Sequence, residues 1–97
     1  MQVIFSVEAR QEPEEAEQYY DRQLPGLGGR FHVEVKSALQ LVRAWPLSCP
    51  IELDAIRRLN LSRFPYKLLY SVESDHIYIV ALSHQHQAPN YWVDRTL

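Results

Sequence analysis

Pro25-Gly26-Leu27-Gly28-Gly29 is the segment on which the reading of this chain turns. Proline and glycine together form the strongest break in the sequence, and five residues are too few for a domain linker. The segment therefore reads as the turn of a helical hairpin. On its C-terminal side lie Phe31, Val35, Ala38, Leu39, Val42 and Trp45. Their spacing is that of an amphipathic helix, with one apolar stripe turned inward. Trp45-Pro46 ends this helix, because a residue before proline is pushed out of helical geometry. On the N-terminal side, Glu8-Ala9-Arg10-Gln11-Glu12-Pro13-Glu14-Glu15 opens a first helix. Proline is tolerated in a first turn, and acidic residues there favour the positive end of the helix dipole. The predicted helix runs from about Ala9 or Pro13 to Leu24, with Ala16, Tyr19, Tyr20 and Leu24 facing inward.

Strands flank this hairpin. Gln2 to Ser6 alternates, with Val3, Phe5 and Val7 on one face. Beyond the second helix, Ile56 to Leu61 and Pro65 to Glu73 are candidate strands, the latter with Tyr66, Leu68, Tyr70 and Val72 on one face. Glu73-Ser74-Asp75-His76 bridges into Ile77-Tyr78-Ile79-Val80-Ala81-Leu82, which is apolar on both faces and so predicts a central, covered strand. The short bridge makes that pair antiparallel. The tail from His84 to Leu97 is polar, with a loop at its start and a helical turn at its end. One strand, two helices and then a meander give an α+β fold in a single domain over residues 1–97, with both helices on one face of an antiparallel sheet.

Composition narrows the class. Hydrophobic residues are 46% and charged residues 23% of the 97, as in ordinary globular domains. No apolar run approaches the roughly 20 residues of a membrane span, and the N-terminus has no basic start of a signal peptide. The one cysteine, Cys49, fits a fold held by packing in a reducing cytosol. The formal charge of −2 hides a pattern. Glu12, Glu14, Glu15, Glu17 and Asp21 make the first helix acidic, which reads as a solvated face. Arg57, Arg58, Arg63 and Lys67 stand close together later in the chain and could form a local basic strip.

At these residues the sequence resembles a known family. Pro25-Gly26-Leu27-Gly28, followed by Phe31, Glu34-Val35 and Ala38-Leu39, resembles the helical hairpin of RelE/ParE-type toxins. Arg57-Arg58, Arg63-Phe64-Pro65-Tyr66 and Leu69-Tyr70 are similar to their arginine-bearing strands, and His84, Pro89, Tyr91-Trp92 and Arg95 to the tail of the plasmid stabilisation branch. The resemblance implies a four-stranded antiparallel sheet faced by two helices. It also implies the toxin half of a type II toxin–antitoxin pair, held in a hetero-oligomer by a cognate antitoxin. Members of the superfamily either cut messenger RNA on the ribosome or poison DNA gyrase.

Two sets of candidate residues follow. RNA cleavage needs cations at the scissile phosphate and groups that move protons. Arg63 and Lys67 would serve the phosphate, and His86 the proton. His86 stands where relatives commonly carry an arginine; it titrates near neutrality but lacks the permanent fork of arginine. A toxin that binds a protein target would instead use a surface of Arg57, Arg58, Arg63, His84, His86, Tyr91 and Trp92. The competing reading of Arg57 and Arg58 is solvated strand charge, paired with Glu52, Asp54 or Glu73. As strand neighbours they point to opposite faces. His84 and His86, two apart, would share a strand face, but a pair lacking further ligands does not make a metal site, and no cofactor is expected. The sequence thus favours a ParE-like inhibitor of a protein target, with a ribosome-dependent nuclease and a non-toxic antitoxin-binding remnant as alternatives.

Overall fold

The structure is a computed structural model and describes residues 1–95. Its elements run β1 (Gln2–Phe5), α1 (Val7–Gln23), α2 (Leu27–Ala44), β2 (Ile51–Leu53), β3 (Ile56–Asn60), β4 (Tyr66–Val72) and β5 (His76–His84). A short 3-10 turn, Val93–Arg95, follows. The α+β class and the helical hairpin stand as the sequence predicts. The sheet differs: it has five strands in the order β1-β5-β4-β3-β2, rather than four. It is mixed rather than wholly antiparallel, because β1 runs parallel to β5, with Val3 opposite Ile77 and Phe5 opposite Ile79. The added strand, β2, pairs with β3 through a bulge. It is three residues long between Pro50 and the turn at Asp54, too short to show a period.

Helix α1 starts earlier than its acidic run suggests. Ser6 caps it, its hydroxyl accepting from the Ala9 amide at 3.0 Å and donating to the Val80 carbonyl at 2.9 Å. One side chain thus satisfies a free helix amide and fastens the helix to the sheet. Val7 consequently belongs to the helix and is 73% exposed instead of continuing the strand face. Tyr19, Leu24 and Trp45 are likewise exposed rather than inward. At the hairpin turn Gly26 takes φ +91°, open to glycine at no steric cost. Gly28 sits where the helices meet: its amide donates to Asp21 Oδ1 at 2.9 Å, and a Cβ there would run into the Glu17 carbonyl oxygen. Across the same interface His32 Nδ1 lies 2.9 Å from Glu17.

Two apolar layers sandwich the sheet. On the helix side, Ala9, Ala16, Phe31, Val35, Ala38 and Val42 pack on Leu68, Tyr70, Ile77, Ile79 and Leu82. Phe31 is the hub of an aromatic group, with ring centroids 5.0 to 5.3 Å from Tyr20, Phe64 and Tyr66. On the opposite side, Ile56, Leu69, Val80 and Ala81 are covered by Trp92 from the tail. Each large side chain so buried contributes roughly 1.5–3 kcal/mol. A bulge lets one strand serve both layers. Leu69 stands opposite Ala81 and Tyr70 opposite Ile79, which leaves Val80 as the extra residue. Val80 and Ala81 therefore both face the tail, and Leu82 returns to the helix side. The unbroken apolar run of β5 is the sequence trace of this double duty.

Candidate functional site

The basic residues of β3 and β4 are tied down. Arg57 projects toward the helix side and donates to the Leu47 and Cys49 carbonyls at 3.2 and 2.7 Å. It braces the loop between α2 and β2, which Tyr70 also holds by donating its hydroxyl to the Pro46 carbonyl at 2.6 Å. Burial, and then the neighbouring Cys49, push the Tyr70 ionisation up. Arg58 projects to the other face, as strand alternation requires, and meets Glu52 Oε1 at 3.4 Å and the Ile51 carbonyl at 3.2 Å. Lys67 pairs with the second oxygen of the same Glu52. One carboxylate thus links two cations on one face of the sheet, while Arg57 is spent on backbone.

Arg63 behaves differently. It lies on the exposed loop between β3 and β4, which Glu34 anchors by accepting from the Arg63 amide at 2.8 Å and the Ser62 hydroxyl at 3.1 Å. Its guanidinium is in no ion pair among the described residues. With Arg30 it lines a cleft floored by Tyr20, Leu27, Phe64 and Pro65. No pattern in the chain singled out Arg30, which sits 33 positions before Arg63 near the start of α2.

His84 and His86 do come together, though by a route other than a shared strand. His84 is the last residue of β5, and His86 lies in the turn beyond it. The turn folds the second ring against the first, with centroids 5.1 Å apart and planes at 35°. The His86 amide donates to His84 Nδ1 at 3.0 Å, and Gln87 Oε1 accepts from the His84 amide at 2.9 Å. A neutral His84 must then carry its hydrogen on Nε2. Tyr66, opposite His84 in the sheet, meets the ring edge-on at 5.0 Å. Tyr66 and His84 line a groove shared with Glu12, Glu15, Tyr19 and Gln87. Its histidines are neighbours of the Arg63 loop, because the Gln85 amide donates to the Pro65 carbonyl at 2.9 Å.

The tail holds the remaining candidates. Trp92 is 2% exposed and is a core residue of the second layer. Tyr91 is half-buried, and its hydroxyl donates to Glu12 Oε2 at 3.3 Å. Burial is the main reason that its ionisation is raised. Arg95 lies over the Tyr91 ring at 5.1 Å and donates to both Glu12 oxygens at 3.0 and 2.9 Å. Glu12 also accepts from the Leu82 amide at 3.0 Å, where β1 has ended and the β5 edge would otherwise lack a partner. Glu12 is thus a clasp joining helix, sheet and tail, not part of a solvated face. The predicted residues divide into three: tied cations (Arg57, Arg58, Lys67), one surface end (Arg63, His84, His86) and tail anchors (Tyr91, Trp92). Among the described residues no group of three His, Cys, Asp or Glu side chains is placed to hold a metal ion. No helix there is long and apolar enough to cross a membrane.

Comparison with known proteins agrees with this architecture. A solved structure titled "Chromosomal ParDE TA system from P. aeruginosa" superposes with a TM-score of 0.66, covering 87% of this chain and 95% of that one at 17% identity. At that identity the likeness speaks to the fold. No curated protein sequence matches. The family described as "ParE toxin of type II toxin-antitoxin system, parDE" matches residues 3–89, from β1 to the loop beyond β5. With most of the chain matched by that family, this protein belongs to the ParE toxins of type II toxin–antitoxin systems.

Proposed function

We propose that the chain inhibits growth by binding a protein target in the bacterial cytoplasm, DNA gyrase, and that a cognate antitoxin silences it. The observation that carries this reading is that Lys67, one of the cations a nuclease would set on the phosphate, is held by Glu52 instead, on the sheet face away from the helices. Arg63 lies on the loop beside the helical hairpin, and the His86 ring rests on His84. No described contact joins the three, whereas RNA cleavage requires them around one phosphate. A protein target needs only a surface, and Arg63, Arg30, His84 and His86 supply one at a single end of the molecule.

An antitoxin has a place to dock. Leu41, Trp45, Leu47 and Ile51 are exposed where α2 ends and β2 begins, and Trp45 is 67% exposed. β2 is an outer strand with one side unpaired. Apolar side chains beside an open edge suit an extended segment that adds to the sheet. Purified gyrase acting on relaxed plasmid tests the target. Supercoiling should fall as the chain is added and recover with Arg63→Ala. Undiminished supercoiling at excess protein rejects gyrase. A prompt drop in amino-acid incorporation on induction would instead indicate the ribosome-dependent nuclease.

A further inference from the structure

At the opposite end of the sheet from His84 and His86, Leu53, Asp54, Ala55, Ile56, Ser71, Glu73, Trp92 and Val93 enclose a cleft of about 240 Å³. None of the surfaces assigned above includes it. Its floor is apolar. Its rim carries Asp54, held at φ 51° in the turn between β2 and β3, and Glu73, the residue after β4. Neither carboxylate is in an ion pair with a described residue. Deeper in, Ser71 is 7% exposed, and its hydroxyl has no partner among the described residues. The indole N–H of Trp92, on the adjacent wall, has none either. Among the described residues every fully sealed side-chain nitrogen or oxygen is bonded, so these two groups must open to the surface, and the cleft is the surface they both line.

We infer that this cleft receives an arginine side chain from a protein partner. Two unpaired carboxylates suit a cation, and the Ser71 hydroxyl, open to the cleft and without a protein partner, is free to accept from one. The guanidinium is preferred to an ammonium because its flat, five-donor fork can serve Asp54, Glu73 and Ser71 Oγ together. The indole N–H needs an acceptor, which the partner's backbone carbonyl provides; a free guanidine has none to offer. The volume lies below the roughly 300–1,000 Å³ typical of small-molecule sites and suits one long side chain. The site does not depend on the identity of the toxin's target.

The test is a titration of the full, ¹⁵N-labelled chain with acetyl-Gly-Arg-Gly-amide, read at the Trp92 indole resonance, with Trp45→Phe used for assignment. That resonance and the Ser71 and Asp54 amides should shift and saturate by about 10 mM. The citrulline peptide, which keeps the shape and loses the charge, should bind about tenfold more weakly. Asp54→Asn with Glu73→Gln should weaken the arginine peptide by a similar factor; asparagine tolerates the positive φ at position 54. Absence of a shift, or equal binding of the citrulline peptide to the unaltered chain, overturns the inference whether or not the double variant folds. A lysine peptide binding as tightly overturns the preference for arginine.

Discussion

Replacing Glu12 by alanine should be among the most damaging changes outside the apolar layers. Glu12 and Arg95 have side chains only 17% and 14% exposed, with two contacts of 2.9 and 3.0 Å. Removing one partner of a buried ion pair costs about 3–5 kcal/mol, which residual water access lowers to roughly 2–3 kcal/mol here. The Leu82 amide, bonded to Glu12 at 3.0 Å, loses its acceptor as well. That adds about 1 kcal/mol. The total of roughly 3–4 kcal/mol corresponds to a fall in Tm of about 12–30 °C for a domain of this size. Glu12→Gln keeps an oxygen for the amide and should cost about half as much. Guanidinium denaturation followed by tryptophan fluorescence provides the measurement, since Trp92 lies three residues from Arg95 (95 − 92). A cycle with Arg95→Ala should show a coupling of about 2 kcal/mol. Stability within about 1 kcal/mol of the parent in Glu12→Ala, or additive single changes, would refute the clasp.

Gly28→Ala places a Cβ against the Glu17 carbonyl and 2.7 Å from the Asp21 carboxyl carbon; it should cost about 1–3 kcal/mol as overpacking, seen as a lower denaturation midpoint. Ser6→Ala removes both a helix cap and the bond to Val80, with an expected loss of about 1–2 kcal/mol and faster amide exchange in the first turn of α1. Tyr70 predicts behaviour in alkali. Its folded ionisation lies above the ordinary tyrosine range near 10, so the folded state holds its proton more tightly and stability should decline as pH rises beyond about 10. Tyr70→Phe should remove that part of the alkaline loss while lowering neutral stability by about 1 kcal/mol through the lost bond to Pro46; unchanged alkaline curves would contradict the assignment.

How far the sequence disclosed this molecule depends on whether a residue's partner lies along the chain or across it. The α2 stripe was legible because Phe31, Val35, Ala38 and Val42 repeat at helical spacing and all turn inward. The double-faced burial of β5 was legible from Ile77 to Leu82. Strand β2 was not, since three residues carry no period, and with it went the fifth place in the sheet. Among the candidate residues, Arg57 and Arg58 did point to opposite faces, and Arg58 found Glu52 among the partners considered for it. Glu12 was hidden among the other acidic residues of α1. Only the fold shows that it, and none of the others, reaches Arg95, 83 positions away. Ser71 and Trp92 gave no local signal of a shared cleft for the same reason.

The pairing of β1 with β5 also bears on how the chain comes into being. Ser6 and Val80 are bonded across 74 positions. At a synthesis rate of roughly 5–20 residues per second, they leave the peptidyl transferase centre about 4–15 s apart. Throughout that interval β1 has no strand beside it, and the apolar stripe of the hairpin has no sheet to cover. Contacts of such long separation close late, so the surface offered to any target is assembled only once β5 has been made. A product cut short before His76 lacks the strand that both layers share, and is material for proteases rather than a weaker inhibitor.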